Sequence, residues 1–199
     1  MASDAALHLP PAPDPTRPRV LLVGTSLVSG GAFMAIMGLV GLYLSTRAET
    51  LASGTAWLPD GTQIPLTPSN LAFGTMLLSA VTVSWAIDAV GKNDRPMAYL
   101  AMGMTLLFGL SVVNLTVFLY KVSGLSVDTT MGLLFFVVTG AHLVMMIAGM
   151  LYLLAMTLRV LAGDYRSPTD REGVVSAAVF WYATVAAHAV IWLAIYITK

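Results

Sequence analysis

Two histidines, His142 and His188, come nearest in type and placement to metal chemistry. His142 lies about a dozen residues into one long apolar stretch and His188 about ten residues before the end of another, so helices rising 1.5 Å per residue would hold both rings at similar depth. Two facing imidazoles can hold a heme iron, or a copper ion with help from Met145 or Met146. The same rings can instead hydrogen-bond to a neighbouring helix or a lipid headgroup. The sequence holds three histidines and no cysteine. That count falls short of a copper centre and excludes thiolate catalysis, iron–sulfur clusters and cysteine-ligated zinc. Hydrogen bonding is therefore the expected use of His142 and His188, and no catalytic, cofactor-binding or metal residue is assigned. Asp88 stands three residues before a polar break at Gly91. It reads either as a solvated carboxylate at a helix end or as a proton-collecting group at a membrane face. No glycine-rich phosphate loop and no GxSxG elbow occurs. Met104, Met145, Met146 and Met150 are expected to be flexible packing residues.

The elements that position these residues belong in a bilayer. Of 199 residues, 57% are apolar and 10% charged, with a mean hydropathy of +0.82, outside the range of soluble domains. Formal net charge is zero, which leaves no basic surface for nucleic acid. Five stretches are long and apolar enough to cross as helices, over about residues 20–44, 71–90, 97–120, 131–158 and 174–197. The expected fold is an all-α polytopic bundle of five transmembrane helices. Residues 1–19 carry five of the ten prolines and lack the pattern of a secretory signal, so they are expected to form a flexible arm in which His8 is solvated. Seven cationic residues (Arg17, Arg19, Lys92, Arg95, Arg159, Arg166 and Arg171) fall on one side and three (Arg47, Lys121 and Lys199) on the other. The positive-inside tendency then puts the N-terminus in the cytoplasm and the C-terminus outside. No Asp, Glu, Lys or Arg falls in mid-span, which argues against an ion-coupled transporter, a voltage sensor or a stand-alone proton pump. Small residues crowd the first span (Gly24, Gly30, Gly31, Gly38, Gly41) and the last (Ala183, Ala186, Ala187, Ala189). They are expected to let helices approach within the chain, or a partner protein to dock.

Several segments match a known family in order. Gly38–Glu49 (GLVGLYLSTRAE) is similar to an apolar segment with a short basic exit, and Trp57–Gly61 (WLPDG) to a WPP-type loop. Leu77–Val90 (LLSAVTVSWAIDAV) keeps a Trp-Ala pair at Trp85 and Ala86. Phe135–His142 (FFVVTGAH), with Gly149 beyond it, is close to an FF-x-x-TG-x-H-x-x-H-V-x-x-G pattern, and the last span ends in WLAIY at Trp192–Tyr196. Together they resemble cytochrome c oxidase subunit III, in its short five-helix bacterial form, over Val20–Ile197. By this alignment Ala32 stands where the family has a buried glutamate, and Met145 replaces the second histidine of the fourth-span motif. Val175 replaces a glutamate of the final helix, Tyr182 and Val185 its His and Asp, and Ile87 and Asp88 two histidines after the Trp-Ala pair. The resemblance is to a divergent member that keeps the scaffold and loses much of the polar, lipid-binding decoration.

The resemblance implies a non-catalytic accessory subunit of a respiratory heme-copper oxidase in a bacterial inner membrane. Heme and copper are then expected in partner subunits I and II, with phospholipid bound between helices and support for sustained turnover and proton uptake. Trp85, His142, Trp181 and His188 are the expected lipid or packing contacts and Asp88 the cytoplasmic proton-facing group. Other readings are a partner of nitric oxide reductase or another membrane redox complex, an electron carrier with heme on His142 and His188, and a small transporter with the glycine-rich span along its pathway.

Overall fold

A computed structural model describes residues 19–163 and 171–198. The arm expected over residues 1–19, with His8, lies outside the described residues except for Arg19, as do Arg166 and Lys199. The described chain forms α1 (Val20–Ala52), α2 (Leu66–Gly91), α3 (Arg95–Val122), α4 (Thr130–Ala162) and α5 (Glu172–Ile191). The last helix continues as a π-helical turn over Trp192–Ile197. All five helices are long and apolar enough to cross a membrane, and no strand occurs among the described residues.

The helices outrun the apolar stretches that announce them. α1 continues eight residues past Leu44 to Ala52, because polar side chains at a membrane surface do not interrupt backbone bonding. Thr50 bonds back to the Thr46 carbonyl, and Arg47 donates to the carbonyl of Thr198 at the end of the last helix. Its 33 residues span ~50 Å, well beyond a hydrocarbon core of ~30 Å. α2 begins at Leu66, five residues before the apolar run, since Pro68 is harmless in a first turn whose amides have no intrahelical acceptor. The Asp94 carboxylate accepts from the Met97 amide at 3.2 Å to start α3, and the Thr129 hydroxyl accepts from Gly132 at 3.1 Å to start α4. Gly163, at φ 87°, closes α4 in the left-handed conformation that glycine adopts without strain.

α5 is the central element, packed on α1, α4 and α2, while α3 packs on α2 and α4. Burial agrees: 56% of the residues in the most apolar stretch of Glu172–Ile197 are buried, against 17% in that of α1. One core joins α2, α3, α4 and α5 around Met76, Val83, Met102, Met146, Leu153 and Trp181. A second lies toward α1 and the α1–α2 connection, around Tyr43, Trp57, Ile64, Phe135, Ile191 and Tyr196. Trp57 holds that connection against the bundle by donating to the Tyr43 hydroxyl at 3.1 Å.

The small residues divide. Ala187 on α5 is fully buried, as close helix approach requires. The five glycines of α1 correct the expectation of close packing within the chain, since a Cβ added at Gly24, Gly30, Gly31, Gly38 or Gly41 would meet nothing within 4 Å. α1 joins the bundle through the opposite face, where Ser29, Ile36, Val40 and Tyr43 are buried.

Candidate functional site

The interior is linked by single neutral hydrogen bonds between helices. Thr82 and Thr105 hydroxyls meet at 2.7 Å between α2 and α3, and Tyr120 donates to Thr139 at 2.8 Å between α3 and α4. Thr25 and Tyr152 hydroxyls meet at 3.2 Å between α1 and α4. Trp181 of α5 donates to Ser79 of α2 at 2.9 Å. Such bonds give lipid-embedded helices a register that apolar contact with lipid cannot supply.

His142 and His188 face each other across α4 and α5, with ring centroids 5.0 Å apart and planes tilted by 48°. Both are buried, at 5% and 6% exposure. Nε2 of His142 lies 3.1 Å from the Thr184 carbonyl, so that nitrogen carries the proton and donates. Among the described residues neither nitrogen of His188 has a hydrogen-bond partner. Among the described residues no group of three or more His, Asp or Glu side chains is gathered.

The unpartnered ring of His188 has a thermodynamic consequence. Burying an imidazole with both nitrogens unsatisfied costs about 1–3 kcal/mol, and an apolar side chain of similar size escapes that cost. His188→Leu is therefore expected to raise stability in detergent by about 1–2 kcal/mol, read as a higher thermal midpoint. His142→Leu surrenders the bond to Thr184 and gains less. A lower midpoint for His188→Leu would show that the imidazole has a partner that matters to the fold.

The other expected site residues lie apart. Trp181 is fully buried at the crossing of four helices. Besides its bond to Ser79, its ring edges lie 2.9 Å and 3.0 Å from where a Cβ on Gly109 of α3 and Gly149 of α4 would sit. Trp85 is 36% exposed on the outside of α2. Asp88 is exposed at the end of α2 and pairs with Lys92 one turn on, at 2.7 Å. Ser79 and Gly109, which help to seat Trp181, and the carbonyl that holds His142 were not singled out by sequence, and Gly149 entered only as the last position of the family-like pattern. Serine and glycine within a span carry no mark of what they touch.

Two cavities flank the start of α1. An apolar groove of about 500 Å³ runs between Val20, Gly24 and Val28 of α1, Ala148 and Tyr152 of α4 and Phe180 of α5. On another face of α1 a polar pocket of about 210 Å³ is lined by Arg19, Leu22, Arg171, Glu172 and Val175, none of which lines the groove. Here the Glu172 carboxylate accepts from the Leu22 amide at 3.0 Å, fastening the first turn of α1 to the first turn of α5. Val175, where the family resemblance places a glutamate, is thus one turn from a carboxylate that has other work.

The family model described as cytochrome c oxidase subunit III matches residues 21–199. The chain is 30% identical to cytochrome c oxidase subunit 3 of Xenopus laevis over 195 residues, covering 96% of this chain and 71% of that relative. It is 29% identical to cytochrome c oxidase subunit 3 of Gallus gallus over 189 residues, covering 92% of this chain and 70% of the relative. The match takes in all five membrane helices and the buried residues that join them, and the chain belongs to the cytochrome c oxidase subunit III family.

Proposed function

We propose that this chain is a non-catalytic accessory subunit of a respiratory heme-copper oxidase, holding the catalytic subunit in its working form and supporting proton uptake. The observation that carries the reading is the uncharged interior. Family membership puts the chain in a membrane oxidase. Its own helices are joined by hydroxyl, indole, phenol and imidazole groups, which suit a rigid prop rather than a conduit for charge. In this reading heme and copper reside in partner subunits I and II. The chain sits in a bacterial inner membrane with α1 starting at the cytoplasmic face, and Asp88 lies at that same face. The apolar groove suits a phospholipid acyl chain, and the polar pocket suits an anionic headgroup beside Arg19 and Arg171.

The test compares the oxidase purified with and without this chain. The oxidase lacking it is expected to keep its heme spectrum and initial turnover, to lose activity faster during sustained turnover, and to retain less anionic phospholipid by mass spectrometry. Heme retained by this chain purified alone would overturn the proposal, as would an oxidase whose stability in turnover is unchanged by its loss.

A further inference from the structure

The outer surface of α3 carries a polar group that lipid cannot satisfy. Asn114 is exposed and lies ~8 Å from the midpoint of the 28-residue helix toward Val122, inside the ~15 Å half-thickness of the hydrocarbon core. Four other exposed hydroxyls on the spans are satisfied by their own helix. Ser26 donates to the Leu22 carbonyl at 2.8 Å, Thr75 to Leu71 at 2.8 Å, Ser84 to Ala80 at 2.7 Å and Ser111 to Leu107 at 2.9 Å. A hydroxyl has one proton to place and an i−4 carbonyl takes it. A carboxamide has two donors and an acceptor, and the Asn114 side chain has no hydrogen bond to any described residue. The remaining amide side chains avoid the problem. Asn70 accepts from Trp192 at 2.9 Å, and Asn93 and Gln63 lie in connections outside the helices.

We propose that the outer face of α3 docks on a transmembrane helix of another subunit of the oxidase, with the Asn114 carboxamide hydrogen-bonded to a hydroxyl or amide side chain of that helix. The inference rests on the oxidase-subunit reading above and names the face that makes the contact. The surface around Asn114 suits a helix. Leu107, Leu110 and Phe118 are exposed at 63%, 57% and 51%, and they surround Asn114 within one helical turn or two on the same side. Gly103, with no atom within 4 Å of an added Cβ, leaves room for a backbone to approach above them. Apolar side chains alone give lipid and a partner helix nearly equal claims on this surface. The amide breaks the tie, because only a protein partner can satisfy it at that depth.

The test uses the complete oxidase in its native membranes. Asn114→Leu is expected to reduce retention of this chain on the complex in mild detergent by roughly 3- to 20-fold, as measured for interhelical hydrogen bonds in bilayers. Asn114→Gln should restore much of it. The thermal midpoint of the isolated chain should not fall in Asn114→Leu, which separates docking from folding. Because the chain has no cysteine, Leu110→Cys places a single photo-crosslinker on this face and Leu27→Cys places one on the exposed side of α1. Capture of an oxidase subunit from position 110, identified by mass spectrometry, supports the proposal. Capture of a second copy of this chain or of lipid alone from position 110 overturns it, as does undiminished retention of Asn114→Leu. Should no oxidase subunit accompany the unaltered chain, the function proposed above fails first.

Discussion

Trp181→Ala lowers the stability of the bundle by about 3–5 kcal/mol, the range for truncating a large buried aromatic ring. The reason lies in what holds helices together in lipid. Acyl chains solvate leucine as well as another helix does, so packing and the rare interhelical hydrogen bond carry the association. Trp181 supplies both. Its ring is wholly buried, lies against Gly109 of α3 and Gly149 of α4, and donates to Ser79 of α2 at 2.9 Å. Truncation opens a void among four helices that none can close alone. The Ser79 hydroxyl, which itself donates to the Met76 carbonyl at 2.6 Å, is not orphaned. Most of the loss is therefore packing. Trp181→Phe keeps most of the ring and gives up the N–H, so it should cost only about 0.5–1.5 kcal/mol beyond its smaller volume. Thermal unfolding in detergent orders the variants: unaltered, Phe, Ala. Trp85→Ala, on the lipid-facing side of α2, serves as the control with little change. Equal and small losses for both Trp181 variants would mean that the ring is not the centre of the bundle.

The sequence made the number and character of the helices plain, because each stretch satisfies the length and apolarity that a bilayer demands. It was less informative at the ends. Ser45–Ala52 reads as a polar exit yet remains helical, since the positions where apolar residues stop need not be those where backbone hydrogen bonding stops. Glycine was ambiguous for a different reason. The same residue type lies open on α1 at Gly24 and Gly38 and seats an indole ring at Gly109 and Gly149, and only the rotation of each helix about its axis tells the two apart. The hydrophobic stripe that would reveal this rotation in a soluble protein is erased when both faces are apolar. Asn114 illustrates the same limit: its depth could be read from the sequence, but its outward direction could not. Trp85 and Trp181 were alike as candidates by type, and the structure sends one outward to 36% exposure and the other into the core.

Gly109→Val is expected to cost about 1–3 kcal/mol by overpacking, the second large effect, and its physical basis is the immobility of what it meets. A Cβ at this position would come within 2.9 Å of Cη2 of Trp181 and 3.0 Å of Sδ of Met150. The thioether is the end of a flexible side chain and can give way. The indole cannot, because its N–H is tied to Ser79 and its Cε3, two atoms along the same ring, lies 3.0 Å from the Cβ position of Gly149. The strain must then be relieved by moving α3 away from α5, which loosens the pairing of α3 with α2 and α4 as well. Substitution at Gly38, with open space around it, should be neutral in the isolated chain or slightly stabilising, since replacing a mid-helix glycine by alanine favours the helix by ~1 kcal/mol. A double-mutant cycle supplies the decisive comparison. Trp181→Phe shortens the ring at the edge facing Gly109, so the cost of Gly109→Val should fall in that background, giving a favourable coupling of at least ~0.5 kcal/mol between residues in contact. Purely additive losses would show that α3 accommodates the new side chain without touching the indole, and that the ring's place between Gly109 and Gly149 is looser than its geometry indicates.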